Sequence, residues 1–268
     1  MRNATVRPDG TKLRWVELPG VEPALIWVHG LGSSSPAYYS AVAAHPLFHG
    51  RRSLLIDLLG HGISDRPTDA AYTLEEHADL LASALTTAGV SGAQLIGHSM
   101  GGAVAIVLAA RHPQLVQALV LVDANLDPRP LGVGVGVGYT EAEFVHGRGW
   151  SETLDQVGPH WAATMRLAGR EALYRSSLHL GRGTIMRELL ITLSVPRTYL
   201  HPAGDPPADV AQLSAAGVRI VAVPNSGHNI MLDNPDGFVK ATAAALPGDR
   251  LQDRHVAPEV DQKEEAIP

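Results

Sequence analysis

The sequence has no cysteine, few aromatic residues and no excess of basic residues. Without cysteine, the 268-residue chain cannot form a disulfide, a thiolate metal site or a cysteine nucleophile. Its net charge of −6 is opposite in sign to the basic surfaces that bind nucleic acid, so we expect no nucleic-acid partner. Aromatic residues make up 5% of the chain, which indicates a core of small and branched aliphatic side chains.

Long hydrophobic runs are also missing from the sequence. No segment is long and apolar enough to span a membrane, and the first residues, "MRNATVRPDGTKLRW", lack the apolar segment of a secretion signal. We therefore expect a cytoplasmic protein without a membrane partner. The length and the 45% content of hydrophobic residues allow one large domain, or one domain with an insertion.

Short apolar runs alternate with helical patterns along most of the chain. Residues 24–28 and 53–59 are apolar runs that are typical of buried strands. Thr73 and Glu76 form the pattern of a helix cap, and Gly89 marks the end of that helix. The same alternation returns near the C-terminus. It predicts an α/β fold with a mostly parallel sheet and helices on both faces.

The alternation is interrupted between residues 125 and 194. This segment has some helical periodicity but no clear strand pattern, and we interpret it as an inserted helical cap. The core is then expected in two parts, 1–124 and 195–248. Residues 249–268 are charged and aperiodic, which predicts a disordered tail.

The strongest chemical signal is the pentapeptide Gly97-His98-Ser99-Met100-Gly101, which lies between a predicted strand and a predicted helix. Gly-x-Ser-x-Gly in this position is typical of a nucleophile elbow, a turn so tight that both glycine positions must lack a Cβ atom. The strained turn projects the serine hydroxyl above the sheet, and the following helix adds the positive end of its dipole. We therefore expect Ser99 to be a nucleophile.

Several motifs in the same order resemble the α/β-hydrolase superfamily, in the branch with a serine nucleophile and a helical cap. The resemblance runs from Trp15 to Leu246 and implies an eight-stranded, mostly parallel sheet flanked by helices. Two positions depart from it: Leu59 stands where many members have proline, and Pro202 where many have glycine. Besides the pentapeptide, the matching residues are His29-Gly30-Leu31-Gly32, Asp57, Gly60-His61-Gly62-Ile63-Ser64-Asp65, Asp123 and Ser226-Gly227-His228.

The resemblance implies the order serine, acid, histidine along the chain, with the histidine on the loop after the last strand. His228 occupies that position and would take the proton of the serine. Two aspartates compete for the acid that orients this histidine. We expect Asp205, which follows a strand where the family usually places its acid, and keep Asp123, at the end of the preceding strand, as the alternative. Asp127 and Asp209 are further candidates.

Acyl transfer through a serine needs two N–H groups that stabilise the negatively charged oxygen. One is expected from Met100, the residue after the nucleophile, and the resemblance assigns the other to Leu31. The cap is expected to contact the substrate through Trp150, Trp161 and Tyr174. No cofactor or metal is expected, because the histidine, aspartate and glutamate residues show no metal-ligand spacing.

These features predict a serine hydrolase that cleaves a carboxylic ester, thioester or lactone of a small, largely apolar substrate through an acyl-enzyme on Ser99. Two alternatives stay open. One is a lyase or synthase of the same fold, in which the serine–histidine pair moves protons. The other is a receptor-like ligand-binding protein with a retained triad. We expect a monomer or homodimer whose partner is a small-molecule substrate.

Overall fold

A computed structural model of the chain describes residues 1–128, 134–181 and 186–248. The predicted tail, 249–268, lies outside the described residues. Strands within them form a single eight-stranded sheet. The strands are β1 (Arg2–Thr5), β2 (Lys12–Leu18), β3 (Val21–Val28), β4 (Arg51–Asp57), β5 (Ala93–His98), β6 (Val116–Val122), β7 (Arg197–Pro202) and β8 (Val218–Val223).

The strand order in the sheet is β1-β2-β4-β3-β5-β6-β7-β8. The pairs β1–β2 and β2–β4 are antiparallel, and the pairs from β4 through β8 are parallel. The prediction of a mostly parallel, eight-stranded α/β sheet is therefore confirmed. The carboxyl ends of the parallel strands meet along one edge, which is where ligands bind in open α/β sheets.

Helices connect the parallel strands and cover the sheet. The predicted N-terminal cap of the helix that begins at Leu74 is present, since the Thr73 side chain accepts a hydrogen bond from the Glu76 N–H at 3.1 Å. The helices are α1 (Ser35–Ala43), α2 (Leu74–Thr87), α3 (Met100–Arg111), α4 (Glu141–Val145), α5 (Gly149–Gln156), α6 (Pro159–Met165), α7 (Arg170–Gly181), α8 (Met186–Thr192), α9 (Val210–Ala215), α10 (Ile230–Asp233) and α11 (Pro235–Ala245).

The core lies on both faces of the sheet, because successive side chains of a strand point to opposite faces. On one face, Ile26 of β3 belongs to a buried cluster with Val104 of α3. On the other face, its neighbour Trp27 packs against Tyr39 of α1, with ring centroids 5.3 Å apart. The central strands are buried on both sides, which explains why they appear in the sequence as continuous apolar runs.

In the described residues between β6 and β7, the chain forms five helices, α4 to α8. Their described residues include no strand, as the interrupted alternation predicts. Phe144, Met165 and Leu173 are buried and join the core cluster that contains α2 and α3. The division into core and cap stays a prediction. None of the described helices is both long and apolar enough to cross a membrane.

Candidate active site

The turn between β5 and α3 places Ser99 at the carboxyl edge of the sheet. Ser99 has φ 52° and ψ −119°, a strained conformation for a residue with a Cβ atom. A Cβ on Gly97 would lie 2.6 Å from the Gly101 carbonyl oxygen, and a Cβ on Gly101 would lie 2.4 Å from the His29 carbonyl oxygen. The two glycines are therefore required by close backbone approach, which is the physical reason for the Gly-x-Ser-x-Gly pattern.

The hydroxyl of Ser99 is held by a residue that the sequence analysis missed. Ser99 Oγ donates to Asn125 Oδ1 at 3.2 Å, and the Asn125 N–H donates to the Ser99 carbonyl at 3.3 Å. Within the described chain, His228 is not a hydrogen-bond partner of the hydroxyl. No motif marks Asn125, which lies at the first position of the predicted cap, so the sequence carried no signal for it.

His228 lies on the loop after β8, and its ring is half exposed. Its Nδ1 is 2.6 Å from Asp123 Oδ2. Because a carboxylate only accepts, the ring proton of the neutral imidazole lies on Nδ1, and Nε2 is left as an acceptor. Asp123 directly follows β6 and has φ 42°, a left-handed conformation that turns the chain sharply at the strand end. The alternative acid of the sequence analysis is thus the one in contact with the histidine.

Asp205, the preferred acid, is not brought to the histidine. β7 continues through Pro202, and the Asp205 N–H closes a turn onto the Pro202 carbonyl at 3.0 Å, which leaves the side chain exposed. In the described part of the chain this carboxylate forms no hydrogen bond or ion pair. The two further candidates are engaged elsewhere: Asp127 pairs with Arg187 at 2.5 Å, and Asp209 caps α9.

The loop after β3 approaches the serine from the other side. A Cβ on Gly30 would lie 3.1 Å from the Ser99 Cβ, and Leu31 is buried beside it. The N–H of Leu31 donates to no acceptor among the described residues. Met100 is the first residue of α3, so its N–H is one of those that a helix leaves without an intrahelical acceptor. Both N–H groups thus remain available for an oxygen bound next to Ser99.

Two buried side chains hold this loop in place. His29 Nδ1 donates to the Gly30 carbonyl at 2.7 Å, and its Nε2 accepts the Leu58 N–H at 3.0 Å. Asp57 accepts the Ser35 N–H at 2.7 Å and the Ile63 N–H at 2.8 Å. Burial lowers the pKa of His29 to about 4 and raises the pKa of Asp57 to about 6. His29 is therefore a neutral loop residue at pH 7.

His98, next to the serine, faces the loop of His228 after β8. Its ring centroid lies 4.6 Å from that of His228, and its Nε2 donates to the His228 carbonyl at 2.9 Å. Its Nδ1 is buried and has no partner within the described residues. Burial lowers the pKa of His98 well below its usual value, so this ring is neutral and supports the His228 loop through its hydrogen bond.

A small cavity of about 60 Å³ opens beside Ser99. Trp161 of the inserted helices contacts it, but the other two predicted substrate contacts do not. The Tyr174 hydroxyl donates to the Tyr139 carbonyl at 2.9 Å, and the Trp150 ring lies under the Arg170 guanidinium, whose Cζ is 5.4 Å from the ring centroid. Both side chains therefore stabilise the packing of the helices. The residues that line the cavity are Gly30, Leu31, Ser33, His98, Ser99, Trp161, His228 and Asn229. No metal-binding cluster of three or more histidine, aspartate or glutamate residues occurs in the described ranges.

Comparisons with known proteins support the fold. A family model described as alpha/beta hydrolase fold matches residues 23–138. The sn-1-specific diacylglycerol lipase ABHD11 of Mus musculus is 26% identical over 91% of this chain and 87% of its own. The enol-lactonase from Burkholderia xenovorans LB400 aligns with a TM-score of 0.76 and 22% identity, over 91% of this chain and 99% of its own. The esterase RhEst1 from Rhodococcus sp. ECU1013 aligns with a TM-score of 0.70 and 25% identity, over 91% of this chain and 97% of its own.

Proposed function

The chain has the α/β-hydrolase fold and is similar to enzymes that are hydrolases, and from this premise we propose that it is a serine hydrolase of small carboxylic esters, thioesters or lactones. One arrangement carries the proposal. Ser99 stands at a strained elbow and shares a cavity with His228, whose Nδ1 lies 2.6 Å from Asp123 Oδ2. Nucleophile, base and acid in this relation are the groups that acyl transfer needs.

In the proposed reaction, the Ser99 hydroxyl leaves Asn125 Oδ1 and turns toward His228. Its Oγ attacks the carbonyl carbon of the substrate while the proton passes to His228 Nε2. Asp123 stabilises the resulting imidazolium through Nδ1. The imidazolium then protonates the departing alcohol or thiol, which leaves an acyl-enzyme on Ser99. A water molecule, deprotonated by the same imidazole, attacks this ester and releases the acid.

The negative oxygen of the tetrahedral intermediate would be stabilised by the N–H groups of Leu31 and Met100. Removing one donor of such a pair typically lowers kcat by about 10²- to 10³-fold. Both N–H groups belong to backbone that is fixed by tertiary contacts, so they need little reorganisation during the reaction.

The size of the cavity supports a small acyl group. About 60 Å³ is available next to Ser99, and its lining combines apolar surface with the hydroxyl of Ser33 and the amide of Asn229. We expect acetate and butyrate esters to be hydrolysed faster than an octanoate ester. The division of the chain into a core and a helical cap, with the cap residue Trp161 at the cavity, fits the same proposal.

The test combines labelling with turnover. We expect a fluorophosphonate to label the protein stoichiometrically at Ser99, and the protein to hydrolyse p-nitrophenyl acetate and butyrate. Ser99→Ala should abolish both, whereas Ser40→Ala, which removes an exposed serine hydroxyl on α1, should retain both. The adduct is located by mass spectrometry of the digested protein.

The two alternatives give different outcomes in this experiment. Stoichiometric labelling with negligible turnover of p-nitrophenyl esters would favour a lyase or synthase, or a receptor-like ligand-binding protein. Absence of any labelling would overturn the activated serine itself.

A further inference from the structure

The loop that carries Leu31 contains a β-turn of defined type. The Ser33 N–H donates to the Gly30 carbonyl at 3.1 Å, and Gly32 has φ +68° while Leu31 does not have a positive φ. A positive φ at the third residue alone is the mark of a type II turn. A type I turn differs mainly by rotation of the central peptide, here Leu31–Gly32, through roughly half a turn. The orientation of the Leu31 carbonyl therefore distinguishes the two forms.

A cap side chain holds this carbonyl. Trp161 of α6 donates its indole N–H to the Leu31 carbonyl oxygen at 2.8 Å. The helix also packs directly on the turn, because a Cβ on Gly32 would lie 2.7 Å from Met165 Cγ and 2.9 Å from Trp161 Nε1. Rotation of the central peptide would carry the carbonyl away from α6 and break this hydrogen bond.

The residue before Trp161 contacts the other catalytic loop. His160 Nε2 accepts a hydrogen bond from Asn229 Nδ2 at 3.2 Å, and Asn229 directly follows His228. Two consecutive residues of α6 thus contact the loop of the proposed oxyanion donor and the loop of the proposed base. The helix is positioned to fix both loops relative to Ser99.

We propose that Trp161 is a positioning residue whose hydrogen bond to the Leu31 carbonyl locks the Gly30–Ser33 turn against α6, and so holds the Leu31 N–H in place for the oxyanion. The inference rests on the proposed function. The indole N–H is already donated to the Leu31 carbonyl, so the expected substrate contact of Trp161 would be made by its ring. Rotation of the Leu31–Gly32 peptide alone would not turn the Leu31 N–H, which belongs to the Gly30–Leu31 peptide. Loss of the lock would instead release the whole turn from α6 and let the Leu31 N–H shift relative to Ser99.

The test is Trp161→Phe, which keeps an aromatic ring and removes the N–H. For p-nitrophenyl acetate we expect kcat to fall about five- to tenfold, as for loss of one neutral hydrogen bond, with KM within about twofold. Trp15→Phe is the matched control. It removes an indole N–H that donates to Glu17 at 3.2 Å on β2, remote from the cavity, and should leave kcat and KM unchanged. Melting temperatures verify that the variants are folded.

Trp161→Leu is a second variant that lacks the donor but differs in shape from phenylalanine. The same loss of kcat in both variants supports the lock. If Trp161→Phe keeps kcat within twofold, or if the two variants change only KM in a way that follows side-chain shape, the inference is overturned. Failure of the proposed function is a separate result, because it shows as absent fluorophosphonate labelling of Ser99 in the unmodified protein.

Discussion

Asp123 Oδ2 lies 2.6 Å from His228 Nδ1, although 105 positions separate the two residues in the sequence. The contact arises because β6 ends at Val122 and the loop after β8 returns across the same edge of the sheet. The left-handed backbone of Asp123 turns its side chain toward that loop. The carboxylate is mostly covered, with 20% of its side-chain surface exposed, so it can orient the imidazole with limited competition from water.

The two aspartates provide a matched pair of variants. Asp123→Asn should lower kcat by about 10⁴-fold, because an amide favours the wrong tautomer of the histidine. Asp205→Asn makes the same change on an exposed side chain and should keep kcat within twofold. Steady-state hydrolysis of p-nitrophenyl butyrate measures both. A large loss in Asp205→Asn with a normal rate in Asp123→Asn would reverse the assignment.

The choice between these aspartates shows where sequence reasoning ends. The alternation of apolar runs and helices predicts the parallel sheet, and the glycines around Ser99 predict the elbow, because both follow from local chemistry. Asp123 and Asp205 both lie just beyond neighbouring strands, so their spacing does not separate them. The separation comes from loop conformation, a left-handed residue at Asp123 and a turn closed onto Pro202 before Asp205, which depends on tertiary packing. Asn125 belongs to no sequence motif, so its contact with Ser99 could not be predicted.

Asn125 holds the serine hydroxyl that the proposed base, His228, would deprotonate. Its Oδ1 accepts the Ser99 hydroxyl at 3.2 Å, so the hydroxyl must leave this partner before it can donate to His228. We expect Asn125→Ala to increase the second-order rate of fluorophosphonate inactivation by up to about fivefold, in line with the loss of one neutral hydrogen bond. A slower inactivation would contradict this and would mean that Asn125 holds the serine in its reactive orientation.

The pH dependence of stability should be dominated by buried imidazoles. Burial lowers the pKa of His29 to about 4 and of His61 to about 3, and it also lowers the pKa of His77 and His98. Such histidines take up protons below about pH 6.5 only when the chain unfolds, which favours the unfolded state in acid. Burial raises the pKa of Asp57 to about 6, so between about pH 4 and 6 the folded chain binds a proton that the unfolded chain has lost. This carboxyl therefore lowers the free energy of unfolding as the pH rises through that range. Four imidazoles outweigh one carboxyl, so the free energy of unfolding should rise from pH 5 to pH 7.

Urea unfolding at pH 5, 6 and 7 measures this slope. His61→Asn keeps an N–H that can reach the Leu59 carbonyl and removes one titrating group. It should reduce the slope by at most about 1.4 kcal/mol per pH unit, the value for one proton. His49→Gln removes an exposed histidine and should leave the slope unchanged. Equal slopes in all three proteins would show that the buried histidines do not set the acid sensitivity.

The elbow glycines should tolerate no side chain. A Cβ on Gly101 would lie 2.4 Å from the His29 carbonyl oxygen and 2.6 Å from the Val28 carbonyl oxygen, and neither backbone oxygen can move without shifting the end of β3. Gly101→Ala should therefore destabilise the protein by about 1–3 kcal/mol, as overpacking does, and lower kcat because Ser99 and Leu31 shift together. Gly204→Ala is the control, since a Cβ there meets nothing within 4 Å and should change stability by less than about 0.5 kcal/mol. Urea unfolding and ester hydrolysis compare the two variants. Equal free energies of unfolding and equal kcat values would refute the close backbone approach at the elbow.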